Sequence, residues 1–201
     1  FKPFANGVDL SIQAGTKYLA GHSDLLIGTV TATAEVWPKL RDATRQMGMG
    51  SGPDDMFLTL RGMRTLRLRL ERQQATALTL ARWLQGRPEV ARVLHPALEG
   101  DPGHALWQRA FLGASGLFGV ELKPVSRPAL AAMLDHMRLF AMGYSWGGFE
   151  SLMVLARLDE ARSVSRWDPA KPLLRLSAGL EDSKDLIADL ADGLDRLQAS
   201  R

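Results

Sequence analysis

The sequence has no cysteine at all. Disulfides and thiolate-held metal centres are therefore excluded, and the composition fits a reducing compartment, the cytoplasm being the expectation. No apolar run reaches eighteen residues, so no membrane-spanning helix is expected. No secretory leader pattern is visible. The excess of one sign of charge is also small: a net charge of +3 does not by itself imply a nucleic-acid partner. The four histidines, His22, His95, His104 and His136, have no metal-ligand spacing. Internal repeats and low-complexity tracts are absent. What is present is a 201-residue chain that is 46% hydrophobic, enough for a real core and one or two domains.

The chain opens Phe1-Lys2-Pro3-Phe4, without Met, and organised sequence follows at once, so it reads as the later part of a longer protein. Residues 9–13 alternate weakly as a short strand, and the apolar, Thr-rich residues 24–34 read as a buried strand. Gly15 and Gly21 break the chain between them. Residues 37–47 look helical, with Pro38 suited to the first turn. After a turn cluster at 49–55, with Asp54 or Asp55 as a cap, residues 56–84 form a long helical region, with a possible break near Gly62. Leu60, Met63, Leu66 and Leu70 recur at helical spacing, and Gly86-Arg87-Pro88 ends the run. Strands are expected at 90–94, 117–122 and 173–177. Helices are expected at 128–140 and 183–197, the last capped by Asp182 or Ser183.

Lys17 stands out. It lies among small, hydroxyl and glycine residues, Ser11-Ile12-Gln13-Ala14-Gly15-Thr16-Lys17-Tyr18-Leu19-Ala20-Gly21-His22-Ser23-Asp24, ahead of an apolar run. A lysine that forms a Schiff base needs such a setting, because its amine must be reachable, partly desolvated and fixed in direction. A hydroxyl directly before it can hold a phosphate, the combination pyridoxal phosphate requires. An ordinary loop lysine is the alternative on composition alone. Arg175 lies in an apolar strand, so it needs an anionic partner: a ligand carboxylate, or Glu181 or Asp182 in a structural ion pair. Tyr144-Ser145-Trp146-Gly147-Gly148 reads as a loop passing close to a ligand, or as an aromatic corner of the core. Arg61, Arg64, Arg67, Arg69 and Arg72 read as a solvated helix face pairing with acids such as Glu71, since interleaved stacking aromatics are absent. His22-Ser23-Asp24 does not read as a triad, and no nucleophile elbow is present; His22 is expected to be a structural polar residue.

Taken together these blocks resemble the cysteine/methionine-metabolism (trans-sulfuration) family of pyridoxal-phosphate enzymes. The matching residues are Ser11, Thr16-Lys17-Tyr18, Gly21-His22-Ser23-Asp24 and Gly28. They continue with Arg61-Gly62-Met63-Arg64-Thr65-Leu66 and Gly113-Ala114-Ser115-Gly116-Leu117-Phe118. The last two blocks are Tyr144 to Ser151 and Arg175 to Asp182. They follow the family's order and run almost the whole chain.

The resemblance implies an α/β fold: residues 1–62 as the end of the large, cofactor-binding domain of a fold-type I transferase, and 63–201 as a long linking helix and the small C-terminal domain. It implies that Lys17 carries pyridoxal 5'-phosphate through its amine and that the Thr16 hydroxyl meets the phosphate. Many members have a serine three residues before the lysine, also on the phosphate; Ala14 stands there, so that contact does not carry over. Arg175 would bind the substrate α-carboxylate with help from Ser145, and Tyr144 and Trp146 would shape the pocket wall. Relatives acting at Cγ commonly have Ser-Leu-Gly-Gly in that loop, whereas Tyr-Ser-Trp-Gly-Gly is typical of the β-lyase branch. The implied activity is β-elimination from a sulfur amino acid; a γ-acting relative is the alternative, and a non-catalytic helical interaction module a remote one. The implied protein is a homo-oligomer, a dimer of dimers, with an amino-acid substrate and no membrane or nucleic-acid partner. Its remaining cofactor contacts would precede Phe1 or come from a neighbouring subunit, so these residues alone are expected to bind cofactor weakly and not turn over.

Overall fold

The computed structural model describes residues 1–158, 164, 167–168 and 170–200. Its centre is a five-stranded sheet in the order β3 (Val90–Leu94), β4 (Leu117–Leu122), β7 (Leu173–Ser177), β6 (Leu152–Leu155) and β5 (Ala141–Met142). All neighbours run antiparallel except β5 and β6. Helices α3 (Leu66–Gln85), α5 (Arg127–Leu134) and α6 (Ser183–Ala199) pack together and on this sheet. The core is contiguous and begins at Ala77. Leu80 and Leu84 of α3 meet Phe118, Val120 and Leu122 of β4, Leu174 and Leu176 of β7, and Leu186, Leu190, Leu194 and Leu197 of α6. Alternation along β4 follows from the pleat, which sends Phe118, Val120 and Leu122 to the helix side.

The expected strands at 90–94, 117–122 and 173–177 form over those residues. Asp182 caps α6, accepting the Lys184 N–H at 2.8 Å. The long helical region divides at Arg64 and Thr65 into α2 (Pro53–Met63) and α3. Neither Asp54 nor Asp55 is the cap of α2: Gly52 precedes it and Pro53 supplies the first turn, its fixed φ already helical. The apolar stripe also differs from the expected one. Leu60 and Met63 are exposed, while Arg69, Gln73, Thr76, Ala77, Leu80, Ala81 and Leu84 of α3 are buried.

Residues 1–63 are more open. β1 (Leu10–Ala14) and β2 (Gly28–Ala32) form a two-stranded antiparallel ribbon, followed by α1 (Trp37–Gln46). The expected buried strand at 24–34 is shortened and uncovered; no residue of β2 is buried. Its start is displaced because Thr16 takes both polar groups of the Ile27 backbone. The helix expected at 128–140 stops at Leu134, because the Asp189 carboxylate captures the N–H groups of Arg138, Leu139 and Phe140 at 2.8–3.1 Å. The small helix α4 (His104–Ala110) and the short strands β5 and β6 were not expected from the sequence.

Candidate active site

Lys17 lies in the turn that joins β1 to the segment before β2. Its own N–H donates to the Ala14 carbonyl at 3.0 Å and its carbonyl accepts the Gly21 N–H at 2.8 Å, so the backbone around it is fixed. Thr16 closes the base of this loop: its Oγ1 accepts the Ile27 N–H at 2.9 Å and donates to the Ile27 carbonyl at 3.3 Å. The loop turns away at Gly21 with φ of 75°, and the Arg69 guanidinium fills the space a Cβ would need there. The Tyr18 ring is set inward. Burial pushes its phenol pKa up, the nearby Ser115 hydroxyl offsetting part of the shift.

The Lys17 Nζ donates to Ser145 Oγ at 2.9 Å. It also lies 4.5 Å from the centre of the Trp146 ring, which the Arg175 guanidinium approaches at 5.5 Å. Arg175, on β7, donates through Nη2 to the carbonyls of Gly143 and Ser145, both at 3.2 Å, and so ties the sheet to this loop. Its Nε is buried without a partner. Burial pulls the Arg175 pKa below its ordinary value, with Tyr144 opposing the shift. Gly147 has φ of 76° and stands where a Cβ would strike the Tyr18 ring. The lysine and tryptophan loops are therefore in direct contact. Thr16, Lys17, Ser23, Asp24, Asp55 and Ser145 are among the residues lining one cleft of about 610 Å³. Tyr144 is exposed beside it.

Five of the six site residues read from the sequence are brought together: Lys17, Ser145, Trp146 and Arg175 as one cluster, and Thr16 at the foot of the lysine loop. The donor set fits pyridoxal phosphate with an amino-acid substrate. An amine and the hydroxyl residues Thr16, Ser23 and Ser145 line one cleft, and a buried guanidinium nitrogen of Arg175 lacks an acceptor. The structural ion pair considered for Arg175 is not made. Glu181 instead accepts the Ser151 N–H and Oγ–H at 2.7 and 2.8 Å, and Asp182 serves as the α6 cap. His22 is held locally, its Nδ1 2.7 Å from the Ala20 carbonyl.

The arginine stretch on α2 and α3 needs a correction. Arg67 does pair with Glu71 at 2.7 Å on the exposed side. Arg69 does not belong to that face: it is buried and donates to the carbonyls of Leu19 and Gly62. Gln73, one turn on, is buried too and donates to the Gly148 carbonyl at 2.8 Å. Sequence reasoning missed both. Carrying the buried spacing back from Leu84 and Leu80 through Thr76 would have reached them.

Residues 1–195 match the family model described as Cys/Met metabolism PLP-dependent enzyme. This chain belongs to that family. It is 50% identical over 197 residues to a putative cystathionine beta-lyase of Rhizobium johnstonii, covering 96% of this chain and 50% of that one. It is 46% identical over 201 residues to the cystathionine beta-lyase of Salmonella typhimurium, covering 98% and 51%. A crystal structure of cystathionine gamma synthase from Xanthomonas oryzae pv. oryzae, in complex with aminoacrylate and cysteine, superposes with a TM-score of 0.89 at 37% identity, over 100% of this chain and 53% of that one. The chain spans about half the length of the curated relatives it matches. The cofactor of this family is pyridoxal phosphate, and the mixed α/β fold is that of its solved members.

Proposed function

We propose that the complete protein is a carbon–sulfur β-lyase that cleaves cystathionine to homocysteine, pyruvate and ammonia in methionine biosynthesis. The observation that carries this reading is the 2.9 Å hydrogen bond from Lys17 Nζ to Ser145 Oγ, beside the indole ring that Arg175 also approaches. One amine is thereby aimed at a carboxylate-binding corner.

In this reading Lys17 holds the cofactor through Nζ, and Thr16 turns its hydroxyl to the phosphate. Its 3.3 Å contact to the Ile27 carbonyl is the weaker of its two bonds and is readily exchanged for a charge-assisted one. Pyridoxal phosphate, when bound, supplies an electron sink for charge developing at Cα. This chain's residues supply the rest. Arg175, through its unpartnered Nε, and Ser145 grip the α-carboxylate and fix the direction of the Cα–H bond. Lys17 Nζ, within reach of that corner, takes the Cα proton and returns one to the departing thiol sulfur. Trp146 and Tyr144 wall the side-chain pocket.

Similarity to relatives named as β-lyases and the Tyr144-Ser145-Trp146 sequence support elimination at Cβ. A γ-acting enzyme is the second reading, favoured by the likeness to a γ-synthase structure. Cystathionine given to the complete protein separates them. Homocysteine with pyruvate is expected; cysteine with 2-oxobutyrate would replace the β reading by the γ one. We assign residues 1–62 to the large domain and 63–201 to the linking helix and small domain. The complete protein is assigned to the cytoplasm as a dimer of dimers, which sedimentation would check. Among the described residues no helix is long and apolar enough to cross a membrane.

A further inference from the structure

We infer that Arg69 and Gln73 of α3 are positioning residues that hold the lysine loop and the Tyr144–Gly148 loop in register, and so set the approach of Lys17 to Ser145. The inference rests on the reading of Lys17 as the cofactor-bearing amine. The two side chains are four residues apart, so they leave the same face of one helical turn. Each reaches a different loop. Arg69 Nη2 donates to the Leu19 carbonyl at 3.3 Å and to the Gly62 carbonyl at 2.8 Å, while its Nε donates to Thr65 Oγ1 at 3.1 Å. Gln73 Nε2 donates to the Gly148 carbonyl at 2.8 Å. Leu19 lies just beyond Lys17, and Gly148 just beyond Ser145.

Neither residue is a natural choice for stability. Arg69 is 5% and Gln73 0% exposed, in a helix whose later buried positions are mostly apolar. Arg69 Nη1 and Gln73 Oε1 are buried with no partner. No carboxylate pairs with Arg69 among the described residues. A buried cation without an acid and a half-satisfied amide are costly, and an apolar residue of similar volume would avoid both. What they achieve is geometric. The loops they grip already touch, Gly147 against Tyr18 and Gly148 against Ser23, so a shift of either is passed to the other.

The test uses the complete protein, with Arg69→Lys, which keeps the charge and loses the fork, with Gln73→Leu, which keeps the volume and loses the donor, and with both. Neither residue lines the cleft. In each single variant kcat is expected to fall on the order of tenfold to a hundredfold with KM nearly unchanged, the signature of a misplaced reacting group. The combined variant should lose less than the product of the two, since both act on one register. The absorbance of the Lys17-bound cofactor should shift. In cofactor-free protein, peptide mass spectrometry after acetic anhydride labelling should show a changed rate at Lys17 and an unchanged rate at Lys39. If Arg69→Lys does not fold, Gln73→Leu decides alone. A folded variant with parental kcat, cofactor absorbance and Lys17 labelling overturns the inference. A Lys17→Ala protein that still turns over overturns the reading beneath it instead, and the labelling rates then judge the register by themselves.

Discussion

Arg175 is a buried-edge cation that donates to two neutral carbonyls and lies over the Trp146 ring, with Nε left over. In the proposed reading its partner is the substrate carboxylate, which meets the geometry of a guanidinium fork. Replacing Arg175 by Ala should lower kcat/KM for the amino-acid substrate by about 10- to 100-fold, from the roughly 1.5–3 kcal/mol of a charged hydrogen bond. Steady-state kinetics of the complete protein check this, and an unchanged kcat/KM would remove Arg175 from the site. Tyr18 offers a prediction of opposite sign. Its hydroxyl is buried near that of Ser115 without a well-formed hydrogen bond, and its pKa is raised by burial. A group whose folded pKa lies above the unfolded one stabilises below the unfolded value. Here that is about 10, and the contribution is lost as pH rises beyond it. Tyr18→Phe should therefore raise the unfolding free energy near neutrality by about 1 kcal/mol, by removing a buried unsatisfied hydroxyl. It should also flatten the loss of stability above pH 10, and denaturant titrations at pH 8 and 10.5 read both effects.

At the scale of elements, the α6 start depends on a short-range contact. Asp182 accepts the Lys184 N–H at 2.8 Å and adds a carboxylate at the positive helix end. Asp182→Ala should cost about 1 kcal/mol, read as a lowered Tm; an unchanged Tm would show that the Leu186–Leu197 packing alone fixes the helix. This cap was legible in the sequence because it depends on adjacent residues only. β4 and β7 were legible for a related reason: alternation along Leu117–Leu122 and the apolar run around Arg175 encode burial locally. The end of α5 was not legible, since it is set by Asp189, some fifty residues away in the chain. The start of β2 was hidden likewise, in a bond from Thr16 across the loop. Arg69 was misassigned because an arginine among arginines carries no local mark of burial; only the loop packed on it makes it an interior residue. The motifs singled out Lys17, Ser145, Trp146 and Arg175, but the placement of the Trp146 indole beside both Lys17 and Arg175 is a fact of three dimensions.

At the scale of the whole molecule, apolar burial is uneven. The contiguous core runs from Ala77 to Leu197 and joins the five-stranded sheet to α3, α5 and α6. Before it, Ile12, Val30, Met56, Phe57 and Leu60 are all exposed, and among the described residues the β1–β2 ribbon has no third strand. Two-stranded ribbons are marginal in water, and segments with few buried apolar contacts open first. The proposed division near residue 62 therefore has a direct consequence for the 201-residue chain. Brief proteolysis should cut first within residues 1–63 and leave a fragment that begins near α3 and keeps β3, β4 and β7. Hydrogen exchange should rank the same way, with the amides of Ile12 and Val30 exchanging well before those of Val120 and Leu176. Initial cleavage within the central sheet, or equal protection of ribbon and sheet, would argue against a boundary there and for one cooperative unit spanning the lysine loop and the C-terminal core.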